Sequence, residues 1–67
     1  MRLKEIRKTK GISQLKLAID LNTTQNTISR YETGEREPSI ADLIKIADYF
    51  DVSLDYLLER TDDPRMR

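Results

Sequence analysis

The sequence predicts an all-α chain of short helices, and three observations predict it. Ser or Thr stands at the start of successive segments, at Ser13, Thr24, Ser39 and Ser53. Gly or Asn stands where the first three helical segments stop, at Gly11, Asn22 and Gly34. Between these starts and stops the apolar residues recur three and four apart, which places them on one face of a helix.

The first helix is expected from about residue 2 to Lys10. Leu3, Ile6 and the aliphatic stem of Lys10 line one side, and Gly11 ends it. Arg2, Lys4, Arg7, Lys8 and Lys10 decorate this helix, either as a solvated face or with Lys8 or Lys10 beside a phosphate. Ser13 is the N-cap of a second helix of about two turns, with Leu17, Ala18 and Leu21 inward. Asn22 tolerates the left-handed conformation that ends a helix, and Thr24 is a new N-cap two residues later, so only a sharp corner fits between them.

In the third helix Ile28 and Tyr31 form the inward pair and Gly34 closes the segment. The loop EREPS follows, and Ser39 with Asp42 resembles a capping box for a fourth helix. Ile40, Leu43, Ile46, Ala47 and Phe50 recur at helical spacing there and read as core. Val52 precedes a last cap at Ser53, and a short fifth helix presents Leu54, Leu57 and Leu58 with Tyr56 beside them. The tail TDDPRMR is charged and is expected to fray. The domain is thus expected over residues 1–60, with a short charged tail over 61–67.

Residues 13–34 carry the chemistry. Two short helices joined by a tight turn, the second with a polar outer face, are the layout of a DNA-binding helix-turn-helix. Gln25, Asn26, Ser29 and Arg30 lie outward on the early turns of the third helix. A major groove admits one α-helix, and the side chains near its N-terminus reach base edges. Gln and Asn pair with adenine N6 and N7, and Arg pairs with guanine O6 and N7. The starts of the second and third helices, at Ser13 to Gln14 and Thr24 to Gln25, carry unpaired N–H groups that suit phosphate oxygens.

At these residues the chain resembles the phage repressor and Cro-type helix-turn-helix regulators, small bacterial and phage transcription factors. The resemblance rests on Ile6, Arg7, Gly11, Ser13, Gln14, Leu17, Ala18, Thr24, Ile28, Glu32 and Gly34 in the first half. It continues through Pro38, Ser39, Ile46, Ala47, Val52, Ser53, Leu57 and Leu58, and so covers nearly the whole chain. It implies a five-helix repressor-like bundle with the helix-turn-helix formed by helices 2 and 3. It also implies that Gln14, Gln25, Asn26 and Arg30 face the groove, and that Arg7 pairs with Glu32 behind the recognition helix. Lys10, Ser13, Thr24, Thr27, Ser29 and Arg36 are the expected backbone contacts. Two departures stand out: Asn22 occupies the turn position where the family commonly has Gly, and Leu15 and Ile19 are apolar where it is usually polar.

Composition narrows the function further. The 67 residues contain no Cys and no His, which excludes disulfides, the usual zinc fingers and His-based catalysis. No apolar run approaches the roughly 20 residues that span a bilayer, and no signal-peptide core follows Met1, so a cytoplasmic location is expected. Ser13, Ser39 and Ser53 read as caps rather than nucleophiles, because no general base accompanies them. Asp48, Asp51 and Asp55 form an acidic cluster without the loop geometry of a calcium site. No nucleophile with a base, no phosphate-binding glycine loop and no metal cluster is present, so neither an enzyme nor a cofactor is expected.

Twelve basic and twelve acidic residues give zero net charge, where a DNA-binding domain is expected to show a basic footprint. The balance is uneven along the chain: residues 1–36 carry eight Lys and Arg against four acids, and residues 37–67 carry four against eight. The expected function is sequence-specific binding of a double-stranded DNA operator by a homodimeric regulator, with Leu54, Tyr56 and Leu57 at the dimer surface and Leu15 and Ile19 as the second choice for it. The alternative is a protein-interaction module of the same fold, antitoxin-like or a modulator of another regulator, with Leu15 and Ile19 toward the partner.

Overall fold

A computed structural model describes residues 1–65 and shows five helices and no strand among them. In order, α1 is Leu3–Thr9, α2 is Gln14–Asp20, α3 is Gln25–Thr33, α4 is Ile40–Phe50 and α5 is Leu54–Leu57. Four helices start alike, because the hydroxyls of Ser13, Thr24, Ser39 and Ser53 each accept the N–H of the residue three positions on. Each bond satisfies one of the four N–H groups that a helix start leaves unpaired.

The helices also stop alike. Gly11, Asn22, Gly34, Asp51 and Glu59 all take the left-handed conformation, with φ between 55° and 83°. At four of them two backbone bonds close the end. The N–H of Asn22 is donated to Ile19 O and that of Thr23 to Ala18 O, and the same pair of bonds recurs after α1, α4 and α5. This is the Schellman closure, which satisfies carbonyls that the last helical turn leaves open. Gly11, Asn22 and Gly34 were legible as stops. Asp51 and Glu59 were not, since Asp, although it tolerates a positive φ, is a less usual helix stop than Gly or Asn, and Glu rarely takes one.

The chain forms two compact units, one of residues 3–37 and one of Met1 and Arg2 with the chain from Pro38 onward. In the first, α3 packs against α2 and α1, and Leu3, Ile6, Leu17, Ala18, Ile28 and Tyr31 are buried. In the second, α4 packs against α5, and Ile46, Ala47, Phe50, Val52 and Leu57 are buried. Tyr49 and Phe50 meet edge to face with ring centroids 4.9 Å apart.

Several expectations change here. The first helix is shorter by one residue at each end than the span from residue 2 to Lys10, and Lys10 lies beyond its end and is exposed. Ile40 is 75% exposed rather than core, because it is the first residue of α4 and no preceding turn covers it. Leu21 is half-buried and Leu58, just past the end of α5, is exposed.

Arg2 is not part of a solvated helix face. Its Nε donates to Tyr56 O at 3.0 Å, its Nη2 to Thr61 O at 3.3 Å and to Asp62 Oδ1 at 2.7 Å, and its guanidinium lies 4.7 Å from the Tyr56 ring centre. The described part of the tail is held as well, since Pro64 O accepts the N–H of Ser53 at 3.0 Å. The expectation of fraying for Met66 and Arg67 lies outside the described residues.

Candidate nucleic-acid interface

The polar face expected on α3 is presented to solvent. Ile28 and Tyr31 are buried, and with 100° per residue the opposite side of the helix carries Asn26, Ser29, Arg30 and Thr33. Gln25, Asn26, Arg30 and Thr33 are exposed and Ser29 is half-buried. Thr33 was not singled out in the sequence, although it follows Asn26 by seven residues and Arg30 by three, the spacing that marked the others. Its hydroxyl donates to Arg30 O at 3.2 Å.

Behind this face lies a hydrogen-bonded ion pair. Arg7 Nε donates to Glu32 Oε2 at 2.6 Å, Nη2 to Oε1 at 3.1 Å, and Nη1 to Ile12 O at 2.9 Å. Arg7 is 9% exposed and the Glu32 side chain 3%, and among the described residues no buried side-chain nitrogen or oxygen lacks a partner. The planar guanidinium is the cation that meets a carboxylate in this two-point way, so Lys at residue 7 would not replace it. The bond to Glu32 holds Arg7 above its ordinary value, against a smaller opposing effect of burial. For Glu32 burial pushes upward, but hydrogen bonds from Arg7 and Gln14 and the charges of Arg7 and Lys4 outweigh it and hold the carboxyl below its ordinary value. The pair is ionised at neutral pH.

The network continues outward. Gln14 Nε2 donates to Glu32 Oε1 at 3.0 Å, and Gln25 Nε2 donates to Gln14 Oε1 at 3.5 Å. Two candidate base-reading glutamines and the supporting ion pair, separate features in the sequence, are therefore one continuous chain of polar contacts across α1, α2 and α3. No local signal announces it, since Gln14 and Glu32 are 18 residues apart.

The candidate backbone contacts are less uniform. Ser13 Oγ is occupied as the α2 cap by Lys16 N–H at 3.0 Å. Thr24 Oγ1 accepts Thr27 N–H at 3.1 Å, and the two threonine hydroxyls lie 2.9 Å apart, so one of them donates to the other. Arg36 is exposed, and its N–H is donated to Arg30 O at 3.3 Å, which fixes the loop after α3 to that helix. The Arg30 guanidinium is 4.0 Å from Glu35, with both side chains more than half exposed. Such a pair is weak and leaves Arg30 available. Lys10 is exposed beyond the end of α1.

On α2 the apolar pair stands bare, Leu15 at 53% and Ile19 at 65% exposure, beside an exposed Lys16–Asp20 pair at 3.0 Å. In the other unit the candidate dimer surface changes. Leu57 has no exposed area and belongs to the interior of its own chain, because it is the residue of the short α5 that faces inward. The Tyr56 ring carries Arg2, and Leu54 lies in an open cleft of about 400 Å³ with Ile44, Ala47, Asp48 and Asp55. Among the described residues no three His, Cys, Asp or Glu are grouped to hold a metal ion, and no helix is long and apolar enough to cross a membrane.

The helix-turn-helix family profile matches residues 3–57. The chain is 46% identical over 57 residues to the uncharacterized HTH-type transcriptional regulator YqaE of Bacillus subtilis, covering 85% of this chain and 49% of that protein. It is 42% identical over 57 residues to the HTH-type transcriptional regulator ImmR of the same organism, covering 85% and 45%. It is 34% identical over 59 residues to the cryptic phage CTXphi transcriptional repressor RstR of Vibrio cholerae, covering 88% and 53%. The chain thus spans about half the length of the curated relatives it matches. No solved structure gives a significant match. With five helices, a capped corner between α2 and α3, and a match from Leu3 to Leu57, the chain belongs to the helix-turn-helix family of phage repressor and Cro-type regulators.

Proposed function

We propose that this chain binds specific sequences of double-stranded DNA through the major groove and regulates transcription, most simply as a repressor. The observation that carries this reading is the outer face of α3, with Gln25, Asn26 and Arg30 exposed on its first two turns and a buried ion pair holding the helix from behind. Gln25 and Asn26 are suited to adenine, and Arg30 to guanine. Ser13, Thr24, Thr27, Ser29, Arg36 and Lys10 are the groups for the phosphates. Family membership supports the reading, as do the transcriptional regulators among the relatives.

A homodimer on an inverted repeat, with half-sites about 34 Å apart or a multiple of it, is the assembly that suits one reading helix, α3, on each chain. Leu54 and Tyr56 remain the candidates for its contact. Zero net charge leaves little nonspecific attraction, so base contacts and dimerisation would supply the discrimination. An intracellular, DNA-associated protein without catalytic activity is the corresponding whole.

The bare Leu15 and Ile19 favour a second reading, in which the same fold holds a protein partner, as an antitoxin-like module or a modulator of another regulator would. One experiment separates the two. Selection from a random duplex library at low and moderate salt is run beside the Gln25→Ala/Arg30→Ala double variant. An enriched inverted repeat that the variant fails to enrich is expected. A folded protein that enriches nothing even at low salt overturns the DNA reading in favour of the protein partner.

A further inference from the structure

Two apolar surfaces are left open to solvent, one in each unit, and they are opposite in shape and in charge. On α2, Leu15 and Ile19 stand one turn apart, with about 5–6 Å between their β-carbons, and form a ridge. Lys16 flanks the ridge, and its side chain is 62% exposed while that of Asp20, its ion-pair partner, is 24% exposed. The charge that the ridge offers to a neighbour is therefore positive.

The other surface is the open cleft of about 400 Å³ beside α4 and α5. Ile44, Ala47 and Leu54 line it with apolar atoms, and Asp48, Asp55 and Arg65 line it with charge. Arg65 is taken by Asp63 at 2.7 Å, whereas Asp48 and Asp55 are exposed and join no ion pair among the described residues. The cleft is thus concave, apolar and negative where the ridge is convex, apolar and positive. The units as wholes differ in the same sense, with seven basic against five acidic residues in the first and five against seven in the second.

We propose that the Leu15–Ile19 ridge of one copy of this chain docks in the Ile44–Leu54 cleft of a second copy, with Lys16 set against Asp48 and Asp55, so that copies join head to tail. The apolar side chains leave water on both sides of the contact, and the charges at its edge remain solvated and fix the register. A contact between two different surfaces is heterologous, so each end of a pair keeps one unused surface and association does not stop at two copies. The inference goes beyond the DNA-binding reading and does not rest on it. Leu54 serves either this contact or a twofold dimer in any one copy.

Sedimentation equilibrium of the full chain without DNA tests the contact. One helix face in one cleft belongs to the small, transient class of interfaces, below about 1,200 Å² in all, so association is followed up to about 1 mM chain. The average mass of the parent is expected to rise with concentration past that of two chains. Leu15→Ser/Ile19→Ser removes the ridge, and Ile44→Lys sets a cation in the cleft against Lys16. Each variant alone is expected to associate at least about tenfold more weakly than the parent, as loss of a central apolar contact does. Their equimolar mixture is expected to exceed the mass of either variant alone at the same total concentration, because an intact ridge then meets an intact cleft.

A mixture no heavier than the separate variants overturns the inference, since a twofold contact through either surface is not restored by mixing. A parent that gains no more mass with concentration than the ridge variant overturns it as well. Circular dichroism checks that each variant is folded, and should Ile44→Lys fail, Asp48→Lys at an exposed position replaces it under the same criterion. Because no DNA is present, failure here leaves the DNA reading standing, and failure of the library selection leaves this contact standing.

Discussion

The unit of residues 3–37 buries both members of its principal ion pair, and the unit from Pro38 onward, which includes Arg2, largely covers the cation and leaves the carboxylate in water. In the first, Arg7 and Glu32 are almost wholly removed from water and joined at two points. In the second, the comparable clasp of Arg2 on Asp62 leaves the carboxylate fully exposed, and the interior is apolar. Both units start and stop their helices by the same devices, so the difference is not one of local structure. A buried pair gains little net stability over apolar packing, because desolvation offsets most of the attraction. Its return is geometry: one orientation of α1 against α3, and a fixed acceptor behind the reading face. An exposed pair imposes no such constraint, and the second unit needs none for the proposed function.

The first way to break the contrast is to remove one partner in each unit. Arg7→Ala leaves a buried carboxylate without its cation and is expected to cost about 3–5 kcal/mol, enough to unfold much of a chain this small. Arg2→Ala is expected to cost less, about 1–2 kcal/mol, since the carboxylate it leaves behind is fully exposed to water. Urea denaturation followed by circular dichroism compares the two, and equal losses would refute the contrast.

Next in size is Leu57→Ala, a cavity beneath α5, with an expected loss of about 2–5 kcal/mol in the same assay. A dimer-surface role for Leu57 would show instead as a change in association with little loss of stability.

Acid sharpens the contrast in the first unit. Glu32 has its carboxyl held below the ordinary range, so its contribution is fully present above the unfolded value of about 4.3 and is lost as pH falls through the lower folded value. The urea midpoint of the parent should therefore fall more steeply on acidification below about pH 5 than that of Glu32→Gln. Parallel curves would show that the pair does not couple to folding.

Smaller effects test the shared helix ends. Asp51→Gly removes a side chain from a left-handed position and should stabilise by about 1 kcal/mol, while Gly34→Ala should cost about as much. No atom lies within 4 Å of where a Cβ on Gly34 would sit, so that cost is conformational and not steric. Smallest of all, Leu15→Ser with Ile19→Ser should leave stability within about 0.5 kcal/mol of the parent, as exposed positions do. A larger loss would mean that the pair is covered.

Charge along the chain illustrates how a boundary drawn in sequence misleads. The halves 1–36 and 37–67 differ strongly, but Arg2 belongs with the later segment and Glu37 with the earlier one. The unit of residues 3–37 then carries seven basic against five acidic residues, and the remainder five against seven. The asymmetry is half as large as the linear split suggests, which makes the proposed interface rely more on α3 chemistry than on field.

Four helix starts and three of five stops were readable from the chain because each depends on a side chain and its own neighbouring backbone. The inward faces of α2 and α3 were readable for a related reason: a buried position repeats with the helical period whatever the helix packs against. Ile40 escaped that rule by standing at a helix start, and Arg2 by leaving the helix to which its charge assigned it. The pairing of Arg7 with Glu32 was available only through resemblance to a family, since 25 residues separate them. Gln14 was expected to face DNA, and nothing local to it indicates that its amide is held by Glu32.

The sequence by itself determined the helices, their caps and turns, the polar outer face of α3 and the family, because these follow from interactions over at most about five residues or from a pattern spread along the chain. Tertiary structure alone decided which charges are buried, that Leu57 faces inward, and that Gln25 is tied through Gln14 to Glu32. Those facts depend on which residues distant in sequence are brought within hydrogen-bond reach, and a side chain's orientation is set by the partner it meets rather than by its neighbours in the chain.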